Sequence, residues 1–201
     1  EYEAALTPGA EYSYVDAGLT IGNHVYQVIP YNATGVGIKS EEKSIFISAT
    51  LDVPHTFDFT QNLLDLFAVI DNNADGKTWI WNSSNGAYYP YNESNAADDY
   101  LITLPFNLKA GKTYNVIVNA KGSASYPERM EVLAGKAATV EGLTEQVIAP
   151  VEVKLGDFED IEGTFTPAED GKYYFAIHAI SDADKLNLCV KALTIELAPE
   201  A

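Results

Sequence analysis

The sequence has few basic residues. Its 201 residues include 12 lysine and arginine residues against 29 aspartate and glutamate residues, so the formal net charge is −17 at pH 7 with histidine neutral. Proteins bind nucleic acids and anionic lipid surfaces through basic patches that neutralise phosphates and release counterions. The charge balance therefore excludes nucleic acid as a partner and disfavours an anionic membrane surface.

Cysteine and long apolar runs are also scarce. Cys189 is the only cysteine, so the chain cannot form an internal disulfide, and a secreted location is neither required nor excluded. No apolar run approaches the ~18 to 20 residues that cross a bilayer as a helix, so we expect no membrane insertion. The chain begins at Glu1 without a methionine, which suggests a piece of a longer protein.

Catalytic motifs are missing from the sequence. The three histidines are His24, His55 and His178, and their spacing is not that of zinc ligands. The sequence also has no GxSxG motif that would present a serine nucleophile. Paired carboxylates could cleave glycosidic bonds, but the acids are too numerous for one pair to be singled out. We therefore expect no enzymatic activity, with a glycoside hydrolase as the weaker alternative.

The abundant residues predict an all-β fold. The chain is 47% hydrophobic and contains 2 Trp, 13 Tyr and 8 Phe, which is the composition of a globular protein. Apolar and polar residues alternate with period two, and turn residues interrupt the alternation at short intervals. The clearest strands are predicted at residues 26–29, 44–47, 114–118, 173–177 and 188–195. Only residues 61–67 suggest a short helix.

A domain boundary is predicted at residues 48–54, where a strand is followed by a segment that ends in Pro54. We expect one unit over residues 1–48 and a second over residues 49–201. The first unit has room for at most about four strands, too few to cover both faces of a sheet. It is therefore expected to need upstream strands of a parent chain, or contact with the second unit.

The first unit resembles the second half of a fibronectin type III module. Residues 12–19 (YSYVDAGL) precede a turn, and Tyr26 follows Leu19 by seven residues. In that family, a leucine and a tyrosine at this spacing form a tyrosine corner, in which the tyrosine hydroxyl binds the backbone of the turn. The resemblance covers residues 11–47 and implies a partial β-sandwich with a structural role.

The second unit resembles the cleaved-adhesin family, the jelly-roll modules of gingipain-type bacterial proteases. Residues 68–79 (AVIDNNADGKTW) match the family stretch ID-x-DGDG-x-x-W, and residues 97–105 (ADDYLITLP) match ADDWLIT-P. Residues 57–59 (FDF), 108–114 (LKAGKTY), 171–178 (GKYYFAIH) and 188–195 (LCVKALTI) match further strands. The resemblance implies a jelly-roll β-sandwich.

The same resemblance implies a function. The chain would be a non-catalytic, extracellular or cell-surface module of a larger bacterial protein, used for adhesion or carbohydrate binding. Its partners would be a glycan or a host cell-surface protein, together with other domains of the parent chain. The alternative is a structural or protein-interaction module accessory to a secreted protease, which an exposed apolar patch on the first unit would favour.

Calcium is the cofactor that the acidic segments indicate. Asp71, Asn73 and Asp75, followed by Gly76, satisfy the opening of an EF-hand loop, although the twelfth position is Asn82 rather than glutamate. The family resemblance implies calcium between the opening segment and the paired Asp98 and Asp99. Two residues depart from the family pattern and weaken the site: Thr60 where an acid is common, and Lys191 where an aspartate is common.

A cluster of aromatic residues indicates a ligand surface. Trp79 and Trp81 share one strand face, and we expect both in the core. Tyr88, Tyr89 and Tyr91 flank Pro90 in an expected loop. Aromatic rings pack against the C–H faces of sugars while amides read hydroxyls. We therefore predict that these three tyrosines and Asn85 bind the ligand, with simple packing as the alternative.

Overall fold

A computed structural model describes residues 13–16, 19, 21–47, 49–154 and 156–199. The chain divides into two compact units, Glu1–Ile47 and Ser48–Ala201. The boundary thus lies one residue from the position that the sequence predicts. Nearly all regular structure is β-strand, which confirms the all-β fold class.

Within its described residues, the first unit contains four short strands. β1 (Gly22–Tyr26) pairs antiparallel with β4 (Lys43–Ile47), and β2 (Tyr31–Asn32) pairs with β3 (Gly35–Val36) in a hairpin. The Tyr26 hydroxyl donates a hydrogen bond to Asp16 Oδ2 at 2.9 Å. The fibronectin resemblance implies a bond to the turn backbone instead, so the fibronectin assignment stays a prediction.

The second unit is a sandwich of two antiparallel sheets, here named sheet A and sheet B. Sheet A has the order β13-β12-β15-β9-β6, with β10 also paired to β15. Its strands are β6 (Ala68–Asp71), β9 (Asp99–Ile102), β10 (Phe106–Leu108), β12 (Glu128–Gly135), β13 (Glu145–Val153) and β15 (Gly171–Ala179). This arrangement is half of a jelly-roll sandwich.

Sheet B has the order β14-β11-β16-β8-β7, with β5 also paired to β16. Its strands are β5 (His55–Asp58), β7 (Ile80–Asn82), β8 (Gly86–Pro90), β11 (Tyr114–Lys121), β14 (Glu159–Phe165) and β16 (Asn187–Leu197). The jelly-roll β-sandwich is confirmed. The helix suggested at residues 61–67 is reduced to a single 3₁₀ turn, Leu64–Leu66.

The core lies between the two sheets and follows the predicted alternation. Along β11, every second side chain from Tyr114 to Ala120 is buried, while the intervening side chains are half-buried. Trp79 is buried and donates its indole N–H to the Asp99 carbonyl at 3.1 Å. Trp81 packs against the core and donates to the Phe59 carbonyl at 2.7 Å. The core positions predicted for both tryptophans are confirmed.

The outer face of sheet A is covered by residues 136–144. Leu143 from this segment is buried with Tyr100, Ile102 and Ala176, which point outward from β9 and β15. The segment is shaped by a 3₁₀ turn, Val140–Gly142, in which the side chain of the preceding Thr139 accepts a hydrogen bond from Gly142 N at 3.1 Å. Sheet A therefore has apolar packing on both of its faces.

Candidate functional site

The outer face of sheet B is the candidate ligand surface. Strand registers place Ile80, Tyr88, Cys189 and Lys121 side by side on β7, β8, β16 and β11. Phe158 directly precedes β14 and is level with Lys121, because Ala120 is paired with Glu159. These five residues form a row that crosses β7, β8, β16 and β11 and ends beside the start of β14, here named the cross-strand row.

A β-bulge brings a second lysine to this row. Asn119 is opposite Ala192 and Ala120 is opposite Val190, so Lys191 is an extra residue in β16. Its Nζ lies 5.0 Å from the centroid of the Phe158 ring, and Lys121 Nζ lies 5.2 Å from the same centroid. Both lysines are half-buried. Lys191 thus lies beside the bulge, two residues after the outward-facing Cys189, and contacts the ring that Lys121 also contacts.

Cys189 occupies the middle of the row and is neither charged nor reactive near neutral pH. Cys189 is buried between Tyr88 and Lys121, and its thiol is free. Burial raises the pKa of the Cys189 thiol to about 11, so the thiol stays protonated and is a poor nucleophile near neutral pH. This part of the row can serve as an apolar floor, since it presents no charge.

The structure separates the predicted ligand tyrosines. Tyr88 lies in the cross-strand row and is half-buried, whereas Tyr89 is only 1% exposed and packs edge-on against Trp79. The expected loop is strand β8, which points successive side chains to opposite faces. The ligand-binding role predicted for Tyr89 is therefore corrected to a core role, because its side chain cannot reach the surface.

The other two predicted ligand residues lie at opposite ends of β8. Asn85 belongs to the turn before the strand, where its backbone N–H donates to Asn82 Oδ1 at 2.8 Å. Tyr91 follows the strand and is half-buried. A strand of this length separates them by about 20 Å, so they do not form one subsite. Their ligand contacts stay predictions.

Sequence reasoning did not single out Lys121 or Phe158. They are far apart in the chain and become neighbours only because β11 pairs with β14. The alternation of β11 does place Lys121 on the outer face, and that signal was available from the sequence. Lys191 was singled out as a departure from the calcium pattern, whereas in the structure it contacts an aromatic ring.

The predicted calcium loop has the expected turn geometry. Asp71 Oδ2 accepts a hydrogen bond from Gly76 N at 2.9 Å, and Asp71 Oδ1 accepts one from Asp75 N at 3.2 Å. Asn73 Oδ1 also accepts from Asp75 N, at 3.1 Å. Gly76 has a φ of 79°, a conformation that favours glycine. Ionised carboxylates retain free lone pairs after such bonds.

Asp99 is the acid most affected by burial. It is fully buried opposite Asp71 in the pairing of β6 and β9. Its Oδ2 accepts from Asp98 N at 3.1 Å, while its Oδ1 is not in good hydrogen-bond geometry with any described group, although the Thr78 hydroxyl lies beside the carboxylate and, against the larger effect of burial, lowers its pKa. Burial raises the pKa of Asp99 to about 6, and the Asp71 and Asp75 carboxylates add to the shift. The buried Tyr89 hydroxyl likewise lacks a described partner.

Asp98 faces away from this group. Its Oδ1 lies 2.8 Å from His178 Nε2, and its Oδ2 accepts from Asn72 Nδ2 at 2.7 Å. His178 Nδ1 lies 2.9 Å from Glu131 Oε1, and the imidazole stacks on Tyr100 at 3.8 Å. Within the described ranges, no three His, Cys, Asp or Glu side chains are arranged to hold a metal ion. Calcium binding stays a prediction, and Asp98 is not gathered with the other predicted ligands.

Comparisons with known proteins agree with this architecture. The K1 cleaved adhesin domain of Lys-gingipain from Porphyromonas gingivalis W83 is 15% identical, with a TM-score of 0.59 over 73% of this chain and 99% of that one. The K3 cleaved adhesin domain of the same protein is 15% identical, with a TM-score of 0.56 over 71% of this chain and 96% of that one. These likenesses show a shared fold, as the cleaved-adhesin resemblance implies.

A third similar structure is TmCBM61 in complex with β-1,4-galactotriose, which is 13% identical with a TM-score of 0.51 over 70% of this chain and 94% of that one. No curated protein matches the chain. A family model described as a carbohydrate binding domain matches residues 56–184. Because this match spans more than half of the sequence, the chain belongs to that carbohydrate-binding domain family.

Proposed function

We propose that the second unit is a non-catalytic module that binds a glycan on the outer face of sheet B. The observation that supports this proposal is the cross-strand row, in which Tyr88 and Phe158 lie on the outer face of sheet B. Both side chains are half-buried, so part of each ring reaches solvent. The outer face of sheet A is packed under residues 136–144 instead. Of the two outer faces, sheet B is therefore the better candidate surface.

The geometry of the row suits an extended sugar chain. Tyr88 and Phe158 are separated by three strand spacings, which corresponds to about 14 Å. Aromatic rings pack against the C–H faces of pyranoses, and Asn187 offers an amide on the same face, whereas Asn119 Nδ2 already donates to Asp160 Oδ1 at 2.7 Å. The glycan would lie across the strands, with the small Cys189 side chain forming the floor beneath it.

Replacement of Tyr88 tests this site. Tyr88→Ala is expected to weaken polysaccharide binding roughly tenfold or more, since one stacking aromatic is lost. Binding is measured by isothermal titration calorimetry against a polysaccharide panel. Tyr174→Ala is the matched control, because Tyr174 lies on the outer face of sheet A. Equal binding by both variants would remove sheet B as the site.

The absence of catalysis is part of the same proposal. His178 is the histidine of the second unit with both ring nitrogens next to carboxylates, and the buried Cys189 thiol is protonated. Neither group is therefore prepared to act as a nucleophile or as its base. The test is incubation of the protein with each bound polysaccharide. New reducing ends or unsaturated products would contradict the non-catalytic role.

We further propose that the module acts in the extracellular space or at a bacterial cell surface, as part of a larger protein. The carbohydrate-binding family and the fold shared with adhesin domains support this setting. No helix among the described residues is long and apolar enough to cross a membrane. Labelled protein is expected to bind cells, and periodate oxidation of cell glycans is expected to abolish the binding. Binding that survives oxidation would indicate a host protein as the partner.

A protein-interaction module is the second candidate. Val15, Val28, Val36 and Ile38 of the first unit are 69% to 94% exposed. Exposed apolar side chains of this kind are typical of interaction surfaces when they are contiguous. This role predicts that other domains of the parent chain bind the first unit. Size-exclusion chromatography of the chain mixed with those domains distinguishes this role from glycan binding.

Calcium is proposed at Asp99, with Asp71 and Asp75 as its acidic neighbours. The unpaired Asp99 Oδ1, its raised pKa and the turn at residues 71–76 support a cation here. A cation that binds only the folded state raises the free energy of unfolding, by about 2.7 kcal/mol at 100 times its Kd, and therefore raises the unfolding midpoint. We expect millimolar calcium to raise the midpoint relative to EGTA. The increase should vanish in Asp99→Asn and persist in Asp65→Asn, an exposed control.

A further inference from the structure

We infer that the glycan bound by sheet B is acidic, a polysaccharide that carries uronate carboxylates. This inference rests on the proposed glycan-binding function and adds the chemical class of the ligand. It is carried by Lys121 of the cross-strand row and by Lys191 in the bulge beside it. Lys121 and Lys191 reach the Phe158 ring from different strands, with their Nζ atoms 5.2 and 5.0 Å from its centroid.

Neither of these lysines forms an ion pair in the described part of the chain. Acids outnumber basic residues 29 to 12, and a lysine is easily neutralised in such a protein. Lys109, Lys136 and Lys154 lie 2.8, 3.9 and 2.6 Å from the carboxylates of Asp170, Glu169 and Glu152. Lys121 and Lys191 have no carboxylate within 4.0 Å among the described residues, although both are half-buried. Two cations thus contact one aromatic ring without a direct ion pair, although the charge of Lys191 acts on the exposed Asp58.

The position of Lys191 beside Lys121 and Phe158 is set by the backbone of β16 at the β-bulge. Cys189 and Ala192 are both paired with outward-facing residues of β11, and the bulge places Lys191 between them as an unpaired residue. The two ammonium groups lie 5.2 and 5.0 Å from the centroid of one ring, so their like charges repel each other, and partial burial reduces screening by water. A bound carboxylate would relieve this repulsion and accept hydrogen bonds from both ammonium groups. An uncharged sugar would leave the repulsion in place.

The row also provides the apolar contact that a uronate chain needs. Tyr88 lies two strands from Lys121, with Cys189 between them, which is about 10 Å. One sugar ring can stack on Tyr88 while a carboxylate farther along the chain reaches the two lysines. The ligand is thus held by an aromatic contact at one end and by charge at the other.

The surroundings favour well-spaced carboxylates over dense sulfate. Asp58, Asp160 and Glu162 are exposed on the same face, at positions paired with Ala192, Asn119 and Ile117. The whole chain also carries a net charge of −17. A densely sulfated polysaccharide would be repelled by these acids. A carboxylate that reaches only the two lysines avoids them.

The test compares each acidic polysaccharide with its own neutral form. Polygalacturonate, alginate and hyaluronate are titrated by calorimetry, each beside a sample whose carboxyl groups have been reduced to alcohols. We expect at least one uronate to bind roughly tenfold more tightly than its reduced form. That preference should shrink as sodium chloride is raised, because the charges are partly exposed.

Variants assign the preference to the two lysines. Lys121→Gln combined with Lys191→Gln is expected to lose the preference for the uronate while keeping the weaker binding of its reduced form. Lys109→Gln combined with Lys136→Gln is the control, since it changes the net charge equally at positions outside the row. Thermal unfolding verifies that each variant is folded. If the control loses the preference as well, the local assignment is wrong.

The outcomes distinguish a failure of the inference that the glycan is acidic from a failure of glycan binding itself. Equal binding of acidic and reduced polysaccharides would overturn the inference and leave glycan binding intact. Dextran sulfate that binds as tightly as the best uronate would overturn the assignment to carboxylates. If no acidic or neutral polysaccharide binds, the proposed function itself fails. A preference that is lost only in the Lys121 and Lys191 variant supports the inference.

Discussion

Tyr88 and Tyr89 are adjacent residues with different environments. Tyr88 lies on the outer face of sheet B, whereas Tyr89 packs in the core beside Trp79. The Tyr89 hydroxyl is buried and has no partner in the described residues. An unpaired buried hydroxyl costs free energy, while the ring that carries it contributes packing. The two parts of this side chain therefore have opposite effects on stability.

Replacement of Tyr89 separates these two effects. Tyr89→Ala is expected to lower the free energy of unfolding by about 3 to 5 kcal/mol, because it leaves a large cavity. Tyr89→Phe keeps the ring and removes the unpaired hydroxyl, so in EGTA it is expected to be as stable as the wild type or more so. Urea denaturation followed by fluorescence measures both. A large loss in Tyr89→Phe would show that the hydroxyl has a partner.

Glu128 predicts how stability depends on pH. It is fully buried, its Oε1 accepts from Leu186 N at 2.6 Å, and its Oε2 has no described partner. Burial raises the pKa of Glu128 above its usual value of 4.5. A carboxyl group with a raised folded pKa stabilises the fold below its unfolded pKa. That contribution to stability is lost as the pH rises through the pKa of the group in the folded protein.

Glu128→Gln should therefore raise the unfolding midpoint more at pH 7 than at pH 4. The amide is neutral at both pH values, whereas the wild-type carboxylate must be ionised in the interior at pH 7. Thermal unfolding of both proteins from pH 4 to pH 8 in EGTA measures the difference. Parallel curves across this range would contradict the raised pKa.

At the scale of elements, the sequence predicts the strands with regular alternation. β11, β15 and β16 lie where alternation indicates them. The sequence predicts a loop at β8 because it contains Pro90, but Pro90 is the last residue of the strand and lies beyond the pairing of β8 with β7, so that side of it has no ladder partner. The short helix at residues 61–67 is too short to persist against tertiary packing, and one 3₁₀ turn is left.

The site was less predictable than the strands for a physical reason. Lys121, Phe158 and Lys191 meet through the pairing of distant strands and through a bulge. Neither the partner of a strand nor an extra residue in it is visible in local periodicity. The same is true of Asp98 and Asp99. Alternation predicts that their side chains point to opposite faces of the sheet, but it does not predict which of the two is buried.

The position of residues 136–144 over sheet A requires Gly135 and Gly142 to lie very close together. A Cβ added at Gly135 would lie 1.8 Å from the Gly142 carbonyl oxygen. Gly135→Ala is therefore expected to displace this segment and to cost about 1 to 3 kcal/mol of stability. It should expose the cluster around Leu143 and increase binding of a hydrophobic dye, while glycan binding on sheet B is unchanged. Urea denaturation and dye fluorescence measure these effects.

Gly156→Ala is the matched control for this change, because no atom lies within 4 Å of a Cβ added there. It should leave stability and dye binding unchanged. If Gly135→Ala abolished glycan binding as well, the two outer faces would be coupled through the sandwich. That result would contradict the assignment of packing to sheet A and ligand binding to sheet B.

At the scale of the whole molecule, the buried core belongs to the second unit. Both hydrophobic clusters consist of residues between Leu51 and Ile195. The described side chains of the first unit are mostly exposed, and its sheets have two strands each. Two-stranded sheets contribute little stability by themselves. The free energy of folding should therefore come mainly from Ser48–Ala201.

A fragment of residues 48–201 is expected to fold cooperatively without residues 1–47. The complete sandwich and all residues of the cross-strand row lie within it, so it should keep the unfolding midpoint to within a few degrees and the same affinity for the glycan. Calorimetric unfolding and titration of the fragment beside the full chain measure both. A large loss of stability with retained affinity would show that the first unit supports the sandwich. Lost affinity in a stably folded fragment would instead place part of the ligand site in residues 1–47.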